Sequence, residues 1–270
     1  MGKIYQEKVK IVSNSKIKNN YFKMVLEPKN ISINAKPGQF LELMVSDQFD
    51  PLLRRPFSIH RIENKKITIL YEVLGRGTQI LLQRKSGEYL DVIGPLGNGF
   101  NIESKIKNQK SKIILVAGGM GVAPLVFLAE RLAKLKTQNS KLKTLVLIGA
   151  KTKNHLLCEK EFKNFGCEVQ ISTDDGSMGF KGKATDLLKN LLRATSDERR
   201  TTVFACGPKP MLKEIAIISE KYDIKAQISL EAYMACGFGA CLGCVAKTRE
   251  GYKMVCSDGP VFEAKEILWE

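Results

Sequence analysis

Residues 112–136 read KIILVAGGMGVAPLVFLAERLAKLK, and this stretch carries the pattern that decides the fold. The apolar run KIILVAGG ends in glycine, as a buried strand does, and a helix-periodic segment with Pro124 near its start follows directly. Strands that alternate with helices predict a doubly wound parallel sheet that is covered on both faces. Three further apolar runs fit this pattern: KTLVLIGA (143–150), EVQIST (168–173) and TTVFACGP (201–208).

The bend between the first of these strands and its helix contains Gly118, Gly119 and Gly121. Glycines at such a bend let a pyrophosphate approach the backbone, and the helix N-terminus adds partial positive charge. A lone glycine turn would be weak evidence. The strand-turn-helix context strengthens it, and so does a second turn of this kind at FACGPKPML (204–212). We therefore expect a dinucleotide at this edge of the sheet.

The segment from residue 5 to about 95 shows short runs that alternate polar and apolar residues or are rich in β-branched residues. Turn signals separate these runs at intervals typical of a barrel. The pattern predicts an antiparallel β-barrel ahead of the α/β domain. The six runs are KVKIVS (8–13), FKMVLE (22–27), QFLELMV (39–45), FSIHRI (57–62), KITILYEV (66–73) and EYLDVIG (88–94).

Two stretches of the predicted barrel carry residues of the kinds found in functional sites. LLRRPFSIH (52–60) places an arginine, an aromatic residue and a serine on one strand. In GRGTQILLQRK (75–85), glycines precede a short helix that we expect to open at Thr78 and to offer backbone N–H groups. Taken alone, an arginine at a strand end is more often a surface charge, and a glycine-rich turn is more often only a turn.

Four of the seven cysteines follow the spacing C-x4-C-x2-C-x11-C near the end of the sequence: Cys236, Cys241, Cys244 and Cys256. The first two intervals are those of the plant-type 2Fe-2S ferredoxin loop. Small residues lie between the ligands, where backbone N–H groups must point at sulfide and positive φ is often needed. These small residues are Gly237, Gly239 and Gly243.

Zinc, disulfides and unrelated buried thiols are the alternatives to a cluster at these four cysteines. Structural zinc usually brings two C-x2-C pairs, whereas only one such pair is present here. A disulfide framework is disfavoured, because the cysteines are clustered in a chain that reads as cytosolic. We favour a 2Fe-2S cluster over zinc and over unrelated buried cysteines. Two of the other three cysteines and both histidines are expected to serve structure, packing or the surface: Cys158, Cys167, His60 and His155.

The composition is that of a globular protein, with 270 residues of which 44% are hydrophobic. The net charge of +15 comes from lysines scattered along the whole sequence, without interleaved aromatic residues. A solvated basic surface is therefore favoured over nucleic-acid binding. The sequence contains no apolar run of about 18 residues, so we expect no transmembrane segment and a cytoplasmic location.

Several motifs occur in an order that resembles a known family: RPFS, GRGT, GPLGNGF, GGMGVAPL, ACGPKPML, SLEAYMACGFGACLGCV and VCSDGPVF. The sequence is similar to the electron-transfer subunits of type B dihydroorotate dehydrogenases, within the ferredoxin reductase superfamily. The resemblance covers essentially the whole chain. It implies an FAD-binding barrel in residues 1–104, an NAD-binding α/β domain in 105–227 and a 2Fe-2S module in 228–270.

The resemblance also implies roles for individual residues. The flavin would be held by Arg55 at its pyrophosphate, by Pro56 and Phe57, and by Ser58 near the isoalloxazine N5. Further FAD contacts are implied for Leu70, Tyr71, Glu72, Gly77 and Thr78. Glu72 departs from the arginine of the family pattern, so only a backbone contact is expected there.

The nicotinamide nucleotide would lie on Gly118, Gly119, Gly121 and Pro124, with Cys206, Gly207 and Pro208 close to the nicotinamide ring. Ser58 and Cys206 are therefore candidate catalytic residues. Cys206 fits equally well as a buried cysteine that merely closes a strand.

By the same resemblance, electrons pass between NADH and a separate FMN-containing catalytic subunit through FAD and the cluster, in pyrimidine (UMP) biosynthesis. Two copies of each subunit would form a heterotetramer. One alternative is a reductase subunit of another complex, such as a sulfhydrogenase or a bifurcating reductase, although we expect an aspartate in place of Cys236 in the bifurcating case. The other is a zinc-stabilised binding module without enzymatic activity.

Overall fold

The computed structural model describes residues 2–102, 112–136, 143–194 and 201–269. The chain forms two compact units. The first, here called the barrel unit, comprises residues 1–99, 232–246 and 253–260. The second, the sheet unit, comprises residues 100–231, 247–252 and 261–270. The division into three domains stays a prediction, and its boundary at 104/105 lies outside the described residues.

The barrel unit contains a closed antiparallel barrel with the strand order β1-β2-β5-β4-β3-β6. The predicted barrel is therefore confirmed, and each of the six predicted runs forms one strand. The strands are β1 (Tyr5–Lys18), β2 (Tyr21–Glu27), β3 (Phe40–Met44), β4 (Arg55–Glu63), β5 (Lys66–Glu72) and β6 (Tyr89–Leu96).

Alternation along the strands fills the barrel with apolar side chains. Met24, Ile59 and Ile69 are completely buried, and Leu41 and Leu43 expose no more than 1% of their surface. Each such side chain contributes about 1.5–3 kcal/mol on leaving water. The barrel interior is therefore a packed core, and polar strand positions face outward.

Helix α1 (Arg76–Gln83) follows β5 and begins two residues earlier than expected. The helix was predicted to open at Thr78. Instead the Thr78 hydroxyl accepts hydrogen bonds from the backbone N–H groups of Leu74 and Gly75, at 3.0 and 3.2 Å. Thr78 therefore lies in the first turn of α1, and its hydroxyl group binds the backbone N–H groups just before the helix.

The sheet unit contains a seven-stranded sheet with the order β10-β9-β8-β7-β11-β12-β15, in which only β15 is antiparallel to its neighbour. The predicted doubly wound parallel sheet is confirmed. Its strands are β7 (Lys112–Gly118), β8 (Lys143–Ala150), β9 (Glu168–Thr173), β10 (Phe180–Lys181), β11 (Thr201–Cys206), β12 (Lys225–Ser229) and β15 (Val261–Glu263).

Among the described residues of this unit there are four α-helices: α2 (Val122–Lys136), α3 (Glu159–Asn164), α4 (Ala184–Arg193) and α5 (Lys209–Lys221). Strands β13 (Val245–Thr248) and β14 (Gly251–Met254) form a separate two-stranded sheet. Among the described helices, none combines the length and the hydropathy needed to span a bilayer.

Candidate functional site

The cysteine loop of the barrel unit directs backbone N–H groups at sulfur atoms. The N–H of Gly239 donates to the Cys256 Sγ at 3.1 Å, and that of Cys256 donates to the Cys244 Sγ at 3.3 Å. The N–H of Cys241 lies 3.4 Å from the Cys236 Sγ. Donors of this kind stabilise thiolates and the sulfur atoms of an iron-sulfur cluster. These bonds place Cys241 beside Cys236, and Cys256 beside both Cys244 and Gly239.

Glycine is required at two of the three positions expected in this loop. Gly237 and Gly239 have φ of +80° and +92°, a backbone conformation that residues with a side chain rarely adopt. At the third position the expectation fails, because the left-handed residue is Leu242 (φ +58°) and not Gly243. A Cβ at Gly243 would lie 3.6 Å from the Cys241 Sγ, so a small residue there leaves room beside the sulfur.

Local hydrogen bonding acts on the thiol groups in opposite directions. Burial disfavours the Cys236 thiolate, but backbone N–H groups of Cys241, Phe238 and Ala240 outweigh it and lower the pKa of Cys236 to about 6. Burial, together with the neighbouring Cys244 thiol, raises the pKa of Cys256 to about 12. Cluster binding takes up thiolates, so binding at Cys256 releases a proton.

The start of α1 and Arg55 form a candidate site for an anion on the barrel. A Cβ built on Gly77 would lie 2.9 Å from the Arg55 Nε, so glycine lets the guanidinium rest on the first turn of the helix. The Arg55 Nη1 donates to the carbonyl groups of Leu53 and Arg54, which fix the side chain. A helix N-terminus beside a held guanidinium suits a pyrophosphate group, so these residues fit FAD.

The other residues expected at the flavin differ in how far their side chains can reach a ligand. Pro56 and Ser58 are half-buried on the outward side of β4, whereas Phe57 is buried in the barrel. The Thr78 hydroxyl is engaged by the start of its own helix.

The side chains of the neighbouring strand β5 serve the fold. Tyr71 is buried in the barrel, where it packs on Phe22 and Phe57 and donates its hydroxyl to the Asn14 Oδ1 at 2.9 Å. Leu70 is buried as well. Glu72 pairs across the strands with Tyr21, and burial together with this carboxylate raises the pKa of Tyr21. From β5, therefore, a ligand could be contacted mainly by backbone groups.

The glycines of the strand-turn-helix in the sheet unit have different neighbours. A Cβ at Gly121 would lie 2.0 Å from the carbonyl oxygen of Cys206, and one at Gly118 would lie 2.7 Å from the Met211 Sδ. Gly119 has φ of +54° and open space where a Cβ would point. Gly118 and Gly121 thus allow close packing inside the protein, and Gly119 leaves room for a ligand.

The second turn lies directly beside the first at the carboxyl end of the parallel strands. Gly207 packs against the backbone of Gly118, with its Cβ position 3.0 Å from the Gly118 Cα. Pro208 precedes α5, and Pro124 lies buried in the first turn of α2. Cys206 ends β11 almost completely buried, and burial, with a smaller contribution from the charge of Glu231, raises the pKa of its thiol.

The histidines and cysteines outside the expected sites differ in their burial, and their structural role stays a prediction. His60 and Cys167 are buried, while Cys158 is half-buried with a left-handed backbone just before α3. His155 is half-buried, and its Nδ1 lies 3.0 Å from the Thr152 Oγ1.

One polar residue next to the cysteine loop was not predicted from the sequence. Glu42 on β3 has no exposed surface, and neither carboxyl oxygen has a hydrogen-bond partner among the described residues. Burial raises its pKa to about 8, against the opposing charges of Arg54 and Arg55. In the sequence Glu42 looks like the polar residue of a strand with one polar and one apolar face. No local pattern therefore indicated that it is buried.

Two family models match the segments that contain the cysteine loop and the glycine turn of the sheet unit. Residues 231–268 match the family model of the iron-sulfur cluster binding domain of dihydroorotate dehydrogenase B. Residues 115–216 match that of the oxidoreductase NAD-binding domain. The first segment contains all four cluster cysteines and the second contains the turn around Gly119.

Solved structures share the fold over most of the chain. The structure of an NADH-dependent reduced ferredoxin-NADP oxidoreductase, described for flavin-based electron bifurcation, is 28% identical and has a TM-score of 0.81. It covers 97% of this chain, which covers 90% of that chain. A ferredoxin NADP+ reductase from Neisseria gonorrhoeae with bound FAD and NADP is 15% identical, with a TM-score of 0.66 and coverage of 84% and 99%.

Curated relatives match from end to end. The dihydroorotate dehydrogenase B (NAD(+)) electron transfer subunit of Caldanaerobacter subterraneus subsp. tengcongensis is 42% identical over 98% of this chain and 99% of its own length. The subunit of the same name from Desulforamulus reducens is 39% identical over the full length of both chains. The chain therefore belongs to the family of electron transfer subunits of dihydroorotate dehydrogenase B (NAD(+)).

Proposed function

We propose that this chain carries electrons between NADH and the catalytic subunit of a dihydroorotate dehydrogenase, in pyrimidine (UMP) biosynthesis. The observation that carries the proposal is the cysteine loop, in which backbone donors point at the sulfur atoms of Cys236, Cys244 and Cys256. The matching relatives are electron transfer subunits along their whole length.

We assign FAD and NADH to different sets of residues. We assign the FAD pyrophosphate to Arg55 and the first turn of α1, and the isoalloxazine ring to the outward side of β4 at Pro56 and Ser58. We assign the NADH pyrophosphate to the backbone at Gly119, with Cys206 at the end of the neighbouring strand. When bound, FAD takes up electrons from NADH in pairs, and a 2Fe-2S cluster passes electrons on singly.

Hydride transfer between a nicotinamide and a flavin needs no acid or base from the protein, because positioning of the two rings is sufficient. This agrees with the raised pKa of Cys206, whose thiol stays protonated at neutral pH. Any role of Cys206 would then be to shape and line the site.

We infer that the partner is an FMN-containing catalytic subunit, with two copies of each chain in the complex. The cysteine loop offers a docking surface, since Phe238 is 45% exposed and Leu242 is 62% exposed. Exposed apolar side chains beside a redox group are typical of a protein interface.

A second candidate function is that of a reductase subunit in a different complex. It is favoured by the likeness to the NADH-dependent reduced ferredoxin-NADP oxidoreductase, at 28% identity. The ligand set argues against a bifurcating role, because Cys236 stands where we expect an aspartate in such subunits.

The proposal is tested by purifying the chain alone and together with the candidate catalytic subunit. We expect flavin and iron-sulfur absorption from the chain alone, and NADH-linked orotate reduction only after the two proteins are combined. A colourless protein that holds zinc would contradict the cofactor assignment. A coloured chain whose NADH oxidation is never linked to orotate would point to the other complex.

A further inference from the structure

Glu42 lies beneath the cysteine loop on the outer side of the barrel. Its neighbours along β3, Leu41 and Leu43, point into the barrel core, so Glu42 points outward. An outward side chain would normally meet water, yet Glu42 has no exposed surface. The loop covers it: a Cβ built on Gly237 would lie 2.5 Å from the Glu42 Cγ and 3.0 Å from the Oε1.

The polar groups near this carboxyl are engaged elsewhere. Arg54 forms an ion pair with Asp91 at 2.7 Å and donates to the carbonyl of the same residue at 2.9 Å. Arg55 donates to the carbonyl groups of Leu53 and Arg54. Within the described part of the chain, both Glu42 oxygens therefore lack a hydrogen-bond partner.

Buried polar atoms in folded proteins are almost always hydrogen-bonded, so this carboxyl calls for a partner that is not protein. The turn at Gly237 directly follows Cys236, the first of the cluster ligands. A group bound by this loop is thus a candidate partner for the carboxyl group.

We propose that Glu42 is a positioning residue of the cluster, whose protonated carboxyl group donates a hydrogen bond to sulfur at the Cys236 end and so helps to set the cluster's reduction potential. Hydrogen bonds to cluster sulfur atoms favour the reduced form, which carries more negative charge. The inference uses only the cluster of the proposed function and not its partner. It is tested on the chain alone, so failure of the partner assignment leaves it intact.

The experiment compares four chains by EPR-monitored redox titration, with iron and FAD content and melting temperature measured on each: the wild type, Glu42→Leu, Glu42→Gln and the control Glu27→Leu on strand β2. Leucine fills the same space without polar atoms, and glutamine keeps an N–H donor. Glu42→Met provides a second apolar variant in case the leucine variant does not fold.

We expect the apolar variants to keep their iron and to lower the cluster potential, changing the equilibrium for cluster reduction by about tenfold or more, which is about 59 mV for one electron. Glu42→Gln should stay within about threefold of the wild type, which is about half of that shift or less. Glu27→Leu should not differ from the wild type.

Wild-type potentials and EPR spectra in both apolar variants would overturn the proposal, because Glu42 would then only fill space. Equal shifts of the reduction potential in the glutamine and apolar variants would also overturn the proposal. Such shifts would come from the loss of a negative charge at Glu42 and not from the loss of a hydrogen-bond donor. Loss of iron from both apolar variants, with iron kept by Glu42→Gln and FAD kept by all, would support it.

Discussion

Gly119 and Gly121 are two residues apart and serve different purposes. A side chain at Gly121 would meet the backbone of Cys206, so any substitution there disturbs the packing of β11. Gly119 has a left-handed backbone and open space before it. Only Gly119 therefore allows a substitution that fills the proposed nucleotide site without displacing protein atoms.

We predict that Gly119→Asn raises the KM for NADH by at least about tenfold, because asparagine tolerates a left-handed backbone while its side chain occupies the space intended for the pyrophosphate. FAD and iron content should not change, and dithionite should still reduce both centres. The matched control is Gly166→Asn, since Gly166 also has positive φ and no atoms near its Cβ position. Stopped-flow reduction by NADH measures the effect, and equal KM values in the two variants would move the nucleotide elsewhere.

Arg55 and Gly77 meet at the start of α1, and this contact supports a second prediction. Arg55→Ala should weaken FAD binding by about 1.5–3 kcal/mol, or about ten- to a hundredfold, because charge-assisted hydrogen bonds to the pyrophosphate are lost. Gel filtration followed by flavin absorption measures the loss. Arg61→Ala on the same strand serves as the control, and equal FAD retention by both variants would count against the site.

At the scale of elements, strand β15 completes the edge of the large sheet with residues that follow the last cluster cysteine. Phe262 on this strand is 4% exposed and pairs with Ile228 of β12. Phe262→Ala should lower the free energy of unfolding by about 3–5 kcal/mol, as expected for a buried phenylalanine. Urea denaturation followed by circular dichroism measures the loss. Val261→Ala, at the half-buried neighbouring position, should lower the free energy of unfolding by less. Similar losses for the two variants would contradict the packing described.

The same elements show what local sequence patterns can and cannot predict. Alternating runs predicted all six barrel strands, and continuous apolar runs predicted β7, β8, β9 and β11. Strands β12 and β15 were not predicted individually, because three to five residues carry too little pattern and their pairing is set by tertiary contacts.

The candidate sites show the same limit. Spacing alone indicated the four cluster cysteines and the glycine turn at Gly119. It could not indicate that the Tyr71 side chain belongs to the barrel core, or that Glu42 is buried by a loop that is distant in sequence. Both facts depend on contacts between segments that lie far apart along the chain.

At the scale of the whole molecule, the exposed apolar side chains of the cysteine loop predict an interface. Phe238→Glu should weaken association with the catalytic subunit by about tenfold or more, because it places a charge in an apolar contact. The visible spectrum of the isolated chain should stay unchanged. Tyr89→Glu is the control, since Tyr89 is also exposed and lies on strand β6. Analytical ultracentrifugation measures the association, and equal affinities for the two variants would remove the loop from the interface.

Electrons are proposed to travel from NADH through the flavin to the cluster before they reach the partner, and this path is the central claim. Replacing the exposed ligand in Cys241→Ala should remove the cluster, which iron analysis verifies, while Cys158→Ser leaves it in place. The decisive measurement is the rate of NADH-linked orotate reduction by the reconstituted pair, set beside the rate at which NADH bleaches the flavin. We predict flavin bleaching within about twofold of the wild type and a loss of orotate reduction of at least about a hundredfold. If NADH-linked orotate reduction persists in the variant without iron, the cluster is not part of the electron path and the central claim is wrong.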